Sequence, residues 1–330
     1  MICEHEDKVF SVDKDGFESL ALEIYRFQFQ HNPIYREYAK TVGKVGDAVK
    51  TLTDIPYLPV GFFKWQKVCT THYEPEAIFE SSGTTQTINS RHFIKDLSLY
   101  RQSFLQGFEL FYGPVNDWCI IGLLPSYLER KNSSLVVMVD ELVQQSHHPQ
   151  SGFYLYEHDK LAATLQQLEA AGQKTMLIGV TFALLDFAET FPMSLQHTTI
   201  METGGMKGRR REMTRPEVHE ILQHAFGVKS IHSEYGMTEL LSQAYSFGNG
   251  LFQTPPWMKI LVRQDDDPFD VRTTGSGVIN VVDLANIYSC SFIAVDDIGK
   301  VFPDGSFEVQ GRTDNSDIRG CSLMVADPFR

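Results

Sequence analysis

The middle of the chain alternates short apolar runs with amphipathic segments, and this alternation constrains the fold more than any other feature. The runs Trp118–Leu124, Thr175–Val180 and Thr198–Thr203 have the length and content of buried strands. Helical spacing of apolar residues is found in segments 96–111, 159–171, 182–190 and 215–226. The run 133–143 fits a helix or a strand equally well. Strands and helices joined by short connections indicate a parallel sheet covered by helices, so the expected fold class is α/β.

The two ends of the chain have different patterns. Segment 15–40 carries apolar residues three and four positions apart and is predicted to be helical. After about residue 250, runs separated by turn signals predict short antiparallel strands, at 260–263, 277–283, 291–295 and 306–310. We therefore divide the chain into a helical segment, an α/β body, a β-rich subdomain and a tail, with bounds 1–54, 55–250, 251–312 and 313–330.

The charge balance narrows the class of ligand. The 29 Lys and Arg residues stand against 42 Asp and Glu residues, which gives a formal net charge of −13. Such a chain is poorly suited to nucleic acid or to an anionic membrane surface. An anionic ligand must therefore be held by a local device, such as backbone N–H groups or a few well-placed cations.

The cysteines and the N-terminus point to a cytoplasmic protein. Five cysteines are an odd number, and no two form a CxxC pair, which argues against a disulfide framework and a structural zinc site. The first ten residues, MICEHEDKVF, lack the apolar region of a secretory signal. No apolar run approaches the roughly 20 residues that span a bilayer, so no membrane span is expected.

A loop of small hydroxylic residues is the first candidate for chemistry. Segment 80–87 reads ESSGTTQT, and its five consecutive small residues pack poorly in a core. Its backbone N–H groups and hydroxyls suit phosphate oxygens. The GxxxxGK[ST] spacing of a Walker A loop is absent. The alternative is a flexible surface turn.

Two further segments combine groups that suit a nucleotide. In segment 231–239, Tyr235 could stack on a base, Thr238 could reach a phosphate and Glu239 could hold Mg²⁺ through oxygen. Taken alone, this segment is better described as a strand end followed by a capped helix. In segment 295–299, adjacent acids either solvate a turn or hold the hydroxyls of a ribose.

The order and spacing of these segments resemble those of a known superfamily. The motifs are SSGTT at 81–85, YGMTE at 235–239, VDDIG at 295–299 and GRTDNSDIRG at 311–320. Over about residues 55–325 the chain resembles the large N-terminal domain of adenylate-forming enzymes, such as acyl-CoA synthetases, phenylacetate-CoA ligases and luciferases. METGGMKG at 201–208 and RGCSL at 319–323 are similar to LuxE-type acyl-protein synthetases, the synthetase subunits of bacterial fatty acid reductase complexes.

The resemblance implies a role for each matching residue. The ATP phosphates would contact the phosphate loop, that is Ser81, Ser82, Gly83, Thr84 and Thr85. The adenine would lie against Gly204, Gly205, Tyr235 and Gly236. Thr238 would contact the α-phosphate and Glu239 the Mg²⁺ ion, while Asp297 would bind the ribose hydroxyls with help from Arg312.

The chain departs from the superfamily in two places. The usual phosphate loop continues with Gly and later Lys, whereas this chain has Gln86 and Asn89 there, and the nearest cation is Arg91. The segment GRTDNSDIRG at 311–320 resembles the superfamily's hinge motif, and the resemblance implies that Asp314 lies at the hinge. Superfamily ligases continue past this motif with a small domain that carries a catalytic Lys. This sequence ends at Arg330, so we expect that domain to be absent.

Cys321 is the candidate acyl acceptor. It lies ten residues after Gly311 (321 − 311), where LuxE-type proteins carry an acyl-accepting cysteine. A thiolate is the best side-chain nucleophile for an acyl-adenylate, and the nearby Arg319 would favour the thiolate form. The alternative is a small apolar residue near a terminus.

Three hypotheses follow. The first is an ATP- and Mg²⁺-dependent synthetase that activates a fatty acid and passes the acyl group through Cys321 to a partner protein that resembles an acyl-CoA reductase or an acyltransferase. The second is a phenylacetate-CoA-ligase-like enzyme whose acceptor is CoA or a carrier protein. The third is a non-catalytic subunit that binds acyl groups or nucleotides.

Overall fold

The computed structural model describes residues 5–81, 88–124, 132–204, 211 and 213–313. Its helices are α1 (Glu6–Val9), α2 (Phe17–His31), α3 (Pro33–Thr41), α4 (Phe62–Trp65), α5 (Leu97–Tyr112), α6 (Ser134–Ser146), α7 (His158–Ala170), α8 (Thr181–Thr190) and α9 (Arg215–Phe226). Its strands are β1 (Leu58–Pro59), β2 (Ala77–Glu80), β3 (Arg91–Ile94), β4 (Cys119–Leu123), β5 (Gly152–Phe153), β6 (Thr175–Gly179), β7 (Thr198–Glu202), β8 (His232–Tyr235), β9 (Ala244–Ser246), β10 (Leu251–Gln253), β11 (Met258–Arg263), β12 (Val271–Arg272), β13 (Gly275–Asp283), β14 (Phe292–Val301) and β15 (Phe307–Arg312).

The chain forms two compact units, each discontinuous in sequence. The first unit contains the described residues within 5–104, 237–243 and 253–313. The second unit contains those within 105–236 and 244–252. The YGMTE motif therefore contributes its first two residues to the second unit and its last three to the first.

The second unit is built on a parallel sheet. Its parallel strands lie in the order β5-β4-β6-β7-β8, and β9 adds antiparallel to β8, with β10 next to it. Every residue of β4 and β6 is buried, as their continuous apolar runs require when helices cover both faces. The predicted strands and helices of this region are confirmed, so the α/β class holds.

The run 133–143, which the sequence left open, is helical. It forms α6, and the hydroxyl of Ser133 accepts a hydrogen bond from Val136 N at 3.5 Å at its start. Met138, Val139 and Leu142 are buried at helical spacing on one side. A single buried stripe is typical of an amphipathic helix, whereas a strand would bury alternate residues.

The first unit contains an antiparallel sheet in the order β12-β11-β13-β14-β15. Strand β1 adds in parallel to β14, and β2 pairs with β3 in a separate hairpin. The antiparallel prediction is confirmed. The strand expected at 291–295 extends to Val301, because the acidic pair Asp296 and Asp297 continues the ladder instead of ending it.

The helical segment predicted at 15–40 consists of two helices. Asn32 adopts an extended conformation between α2 and α3, and Pro33 occupies the first position of α3. The Asn32 side chain accepts a hydrogen bond from Tyr35 N at 3.0 Å and caps the second helix. A single helix through this point is excluded, since Pro disfavours helical geometry in the preceding residue.

Buried amides fasten these N-terminal helices to the rest of the first unit. Gln28 Nε2 donates to the carbonyl oxygens of Asn286 and Ile287 at 3.1 and 3.0 Å, and Gln28 Oε1 accepts from Ser291 N at 3.0 Å. Asn32 Nδ2 donates to the Ser289 carbonyl at 2.9 Å.

Among the described residues, no helix has both the length and the apolar character needed to cross a membrane.

Replacing Gly299 by Ala tests the register of β14 and β15. A Cβ at this position would overlap the carbonyl oxygen of Glu308 on β15 and approach Ile279 Cδ1 to 2.8 Å. We expect Gly299→Ala to lower the free energy of unfolding by about 2–3 kcal/mol, measured by urea denaturation. Gly61→Ala is the control, since its Cβ would meet nothing within 4 Å. Equal unfolding midpoints for the two variants would contradict this register.

Candidate active site

Two of the predicted motifs leave the parallel sheet at the same edge. Strand β7 ends at Glu202 and β8 ends at Tyr235, and these neighbouring parallel strands pair Glu202 with Ser233. Gly204 follows β7 and Gly236 follows β8. Ligands of parallel α/β sheets bind outside the carboxyl ends of the strands, so this edge of the second unit is where a nucleotide is expected.

Glu202 fixes the turn that contains Gly204. Its Oε2 accepts a hydrogen bond from Gly204 N at 2.8 Å and another from Thr181 Oγ1 at 3.2 Å. Gly204 has φ of 77°, a left-handed conformation that favours glycine. The backbone at this predicted adenine-binding position is therefore set by a buried side chain.

Glu202 carries a charge although it is buried. Burial opposes its ionisation, but His219 and Arg215 outweigh that cost and hold the pKa of Glu202 down to about 2. Arg215 Nε lies 3.3 Å from Oε1, and His219 Nε2 lies 3.7 Å from it. Glu202 belongs to the METGG motif, whereas neither of its partners was identified from the sequence, because both lie on α9 more than ten positions away.

The structure gives Tyr235 a buried environment. Its side chain is 2% exposed and packs edge-on against Phe252, with ring centroids 6.0 Å apart. The expected packing of Tyr235 on an adenine ring remains a prediction.

Glu234, just before the YGMTE motif, is a titratable group that the sequence analysis passed over. Burial raises its pKa to about 8, and the nearby charge of Glu202 adds to the effect. On the same strand, burial and His219 lower the pKa of His232 to about 4. His232 Nδ1 lies 3.2 Å from the hydroxyl of Tyr112. The side chains of Glu234 and His232 are therefore both neutral near pH 7.

In the first unit, the main chain of Thr238 and Glu239 is held by two buried side chains. His92 Nδ1 lies 2.8 Å from the Thr238 carbonyl oxygen. Asn286 Nδ2 donates to the Glu239 carbonyl at 2.7 Å, and its Oδ1 lies 3.0 Å from His92 Nε2. The two motif residues predicted to contact the α-phosphate and Mg²⁺ thus have a fixed backbone.

A third side chain holds the next turn of the same segment. One carboxylate oxygen of Asp283 accepts from Leu241 N at 2.7 Å and from Ser242 N at 3.0 Å, while the other accepts from Ser242 Oγ at 2.6 Å. Burial raises the pKa of Asp283, and these hydrogen bonds oppose the rise. We call Asp283, Asn286 and His92 the motif clamp.

His92 is an unusual member of the motif clamp, because both of its ring nitrogens face acceptors. The Asn286 amide donates to Glu239, which leaves its oxygen to accept from His92 Nε2. A neutral imidazole has a single N–H, so both contacts are complete only in the protonated ring. Burial lowers the pKa of His92, while the Thr238 carbonyl, the Glu239 carboxylate and Asn286 oppose the decrease.

The predicted ribose-binding pair is brought together in the first unit. Asp297 on β14 is directly opposite Arg312 on β15 in the antiparallel register. Arg312 Nε lies 3.1 Å from Asp297 Oδ1, and the Asp297 residue is only 3% exposed. The arginine therefore orients this carboxylate, consistent with the assisting role that the resemblance implies.

Ser81 closes the base of the phosphate loop. Strands β2 and β3 pair up to Glu80 and Arg91, and beyond them Ser81 N donates to the Ser90 carbonyl at 3.1 Å. Ser81 Oγ accepts from Ser90 N at 2.9 Å. The other predicted loop residues and three further predicted residues lie outside the described part of the chain; they are Ser82, Gly83, Thr84, Thr85, Gly205, Cys321 and the hinge residue Asp314.

The donor set fits a magnesium ion that is shared with a substrate. Glu239 is a fully buried carboxylate, and the described residues contain no group of three or more His, Cys, Asp or Glu side chains able to hold a metal. Mg²⁺ is commonly bound by one or two carboxylates together with substrate phosphates and water. Glu239 would thus supply the protein oxygen, with ATP supplying others.

Removing the amide of Asn286 tests the motif clamp. Asn286→Ala leaves the Glu239 carbonyl and His92 Nε2 without their partner, so we expect the free energy of unfolding to fall by about 2–4 kcal/mol. Affinity for Mg²⁺·ATP, measured by calorimetry, should fall with it. Asn286→Asp, which keeps the acceptor for His92, should bind nucleotide weakly while losing less stability. Asn116→Ala, at an exposed site, is the control, and an Asn286→Ala variant as stable as this control would contradict the assignment.

The pKa of Glu234 predicts how stability depends on pH. The folded protein keeps this proton up to about pH 8, whereas the unfolded chain releases it near 4.5, so stability present below pH 4.5 is lost as the pH rises to 8. Glu234→Gln removes this loss. We expect its free energy of unfolding to exceed that of the wild type by about 2–4 kcal/mol at pH 8 and by almost nothing at pH 4.5. Urea unfolding across this pH range measures it. The exposed Glu220→Gln should follow the wild-type curve, and an equal gain at both pH values for Glu234→Gln would contradict the prediction.

Known proteins are similar to this chain in sequence and in fold. The chain is 22% identical over 344 residues to the long-chain-fatty-acid–luciferin-component ligase of Aliivibrio fischeri, covering 96% of this chain and 90% of that protein. It is 35% identical over 68 residues to the ligase of the same name from Photorhabdus luminescens, covering 20% of this chain and 58% of that protein.

A solved structure of a malonyl-CoA ligase, a ternary product complex with methylmalonyl-CoA and AMP, matches the fold with a TM-score of 0.51 at 18% identity. The match covers 73% of this chain and 54% of the ligase, so the chain spans about half the length of that protein. It confirms the expected fold, that of an adenylate-forming ligase domain. The family described as acyl-protein synthetase, LuxE, matches residues 11–330. The chain is therefore an enzyme of the ligase class that belongs to the LuxE acyl-protein synthetase family.

Proposed function

We propose that the protein activates a fatty acid with ATP to an acyl-adenylate and then carries the acyl group as a thioester on Cys321. Membership of the LuxE family and the adenylate-forming fold support activation of an acid by ATP. The name of the Aliivibrio fischeri relative supports a long-chain fatty acid as the substrate class.

The observation that carries this proposal is the motif clamp. Three buried side chains, with no solvent-facing role of their own, bind main-chain atoms of segment 238–242. A pre-set backbone lets Thr238 and Glu239 meet the substrate without a cost of ordering at the moment of reaction.

Activation is a displacement at the α-phosphorus of ATP. A carboxylate oxygen of the fatty acid forms a bond to that phosphorus, the bond to the bridging oxygen breaks, and pyrophosphate leaves with the electron pair. Mg²⁺, when bound, neutralises charge on the phosphates. As the resemblance implies, Thr238 would donate to the α-phosphate, Glu239 would hold the ion, and Asp297 with Arg312 would orient the ribose. Gly204 would line the adenine.

Transfer to Cys321 converts the mixed anhydride of the acyl-adenylate into a thioester. The thiolate attacks the acyl carbon, a C–S bond forms, the C–O bond to AMP breaks and AMP leaves, after the thiol proton has passed to solvent. Burial raises the pKa of the described thiols Cys69, Cys119 and Cys290, the last to about 12, so these are poor nucleophiles. A reductase-like or acyltransferase-like partner would then take the acyl group.

Labelling with a radioactive fatty acid tests activation and transfer separately. With ATP and Mg²⁺, labelled hexadecanoic acid should become bound to the protein and be released by hydroxylamine, and peptide mapping should place it on Cys321. Cys321→Ala should lose the label while it keeps fatty-acid-dependent exchange between pyrophosphate and ATP, because activation does not need the thiol.

Cys3→Ala is the matched control and should label as the wild type does. Label that persists in Cys321→Ala would rule out this residue as the acceptor. Absence of exchange in the wild type would rule out activation itself, and release of acyl-CoA on adding CoA to Cys321→Ala would assign the acceptor to CoA.

A further inference from the structure

An open cleft of about 630 Å³ lies in the first unit, away from the motif residues in the sequence. Its walls come from the end of α2, the first turn of α3 and segment 67–73. The residues that matter for its chemistry are His31, Arg36, Lys67, Thr71, His72 and Tyr73. None of them belongs to the motifs of the proposed reaction.

The cleft is basic in a chain whose formal net charge is −13. Arg36, Lys67 and two histidines line it, and no carboxylate of the described residues does so. Scattered surface charges of an acidic protein would place acids among these cations. A cavity lined by one sign of charge concentrates ions of the opposite sign.

Its two permanent cations retain capacity to bind. Arg36 Nη1 donates to the Gln30 carbonyl at 3.0 Å, and its Nε lies 3.9 Å from the exposed Glu37 carboxylate. Lys67 is exposed, and its ammonium lies 5.3 Å from the centre of the Phe93 ring. Within the described part of the chain, no ion pair joins Lys67 to an acid.

Hydrogen bonds to main-chain carbonyls hold segment 67–73, which lines the cleft, in place. Buried Thr70 donates from Oγ1 to the Ser289 carbonyl at 2.6 Å and from its N to the Tyr288 carbonyl at 2.7 Å. Thr71 N donates to the His31 carbonyl at 3.0 Å and ties segment 67–73 to the end of α2. The Tyr73 hydroxyl lies 2.9 Å from the Phe93 carbonyl oxygen and 3.0 Å from the Tyr288 carbonyl oxygen, and its single proton is shared between these two acceptors.

The backbone conformation and the hydroxyl of Thr71 also indicate that the cleft binds a ligand. It has φ of 71°, a left-handed conformation that is uncommon for a β-branched residue and persists where the surroundings impose it. Its Oγ1 is buried and has no hydrogen-bond partner among the described residues. Buried hydroxyls are normally hydrogen-bonded, and Thr71 lines the cleft, so we expect a ligand there to supply the partner once this side chain turns toward it.

From this geometry we infer that the cleft binds the phosphate group of a small organic phosphate. A phosphomonoester carries a charge of roughly −1.5 to −2 at pH 7, which matches two permanent cations, and its three oxygens accept from Arg, Lys, His and Thr donors. The cleft has more room than a bare phosphate needs, and the Tyr73 ring offers an apolar wall for the organic part. This binding is independent of the proposed acyl transfer.

Calorimetry with three probes tests the inference on the full chain, with saturating adenosine, which carries no phosphate, present to occupy the nucleotide site. Phenyl phosphate represents a phosphomonoester with an organic part, inorganic phosphate lacks that part, and benzoate has the ring with a single negative charge. We expect phenyl phosphate to bind most tightly and benzoate least, and we expect added salt to weaken binding.

Lys67→Gln should weaken phenyl phosphate binding about tenfold, because the variant loses a charge-assisted contact. Arg36→Gln should weaken it at least as much. Lys14→Gln, an exposed lysine outside the cleft, removes the same charge and should leave affinity unchanged. Unfolding midpoints of all three variants check that they fold, and Lys67→Gln is decisive because its side chain is exposed.

Several outcomes would overturn the inference. They are no binding of phenyl phosphate by the wild type, equal affinity in Lys67→Gln and Lys14→Gln, displacement by adenosine, or equal affinity for benzoate. Inorganic phosphate that binds as tightly as phenyl phosphate would overturn the organic part of the assignment.

Discussion

The first unit depends on buried side chains that bind main-chain atoms rather than one another. Asn286 is central, because its backbone carbonyl accepts from Gln28 of α2 while its side chain holds the Glu239 carbonyl and His92 of β3. Asp283, three residues earlier, holds the backbone of the following turn. An N-terminal helix, a hairpin strand and the YGMTE segment therefore share one polar connection. A buried polar group that loses its partner costs about 1–3 kcal/mol, so movement at any of these elements is resisted by the others.

The second unit meets a different constraint, since two carboxyl groups lie on neighbouring strands at the edge where a nucleotide is expected. Their environments shift their pKa values in opposite directions. Arg215 and His219 keep Glu202 ionised with a pKa of about 2, while burial keeps Glu234 protonated up to about pH 8. One negative charge instead of two remains at this edge, and it is already neutralised by buried partners. An acidic protein can in this way offer an edge that does not repel a polyanionic substrate.

The periodic parts of this fold could be predicted from sequence, and the polar connections could not. Buried strands and amphipathic helices each have a local signal, whereas the run 133–143 needed its burial pattern to decide it, and Asn32 broke a helix that apolar spacing alone extended to residue 40. The motif residues were found as contiguous strings. Their supports are single polar residues in apolar surroundings, and His92 lies 146 positions from Thr238 and 194 from Asn286. No local pattern connects such positions, although Asp283 and Asn286 within the run VVDLAN are a sign of buried polar groups with partners.

An acyl-adenylate acylates any thiolate that reaches it, so a protein that makes one and carries the product on a cysteine must keep its other thiols unreactive. Burial does so for the thiols that the structure describes: Cys119 and Cys290 are buried, and the pKa of Cys290 is raised to about 12, which leaves almost no thiolate at neutral pH. Cys69 is half-buried, and its pKa is also raised by burial. Selectivity for Cys321 in the proposed reaction would then rest on protonation of the competing thiols as much as on proximity. In the proposed reaction Cys321 accepts the acyl group, whereas Cys119 and Cys290 pack as small apolar residues.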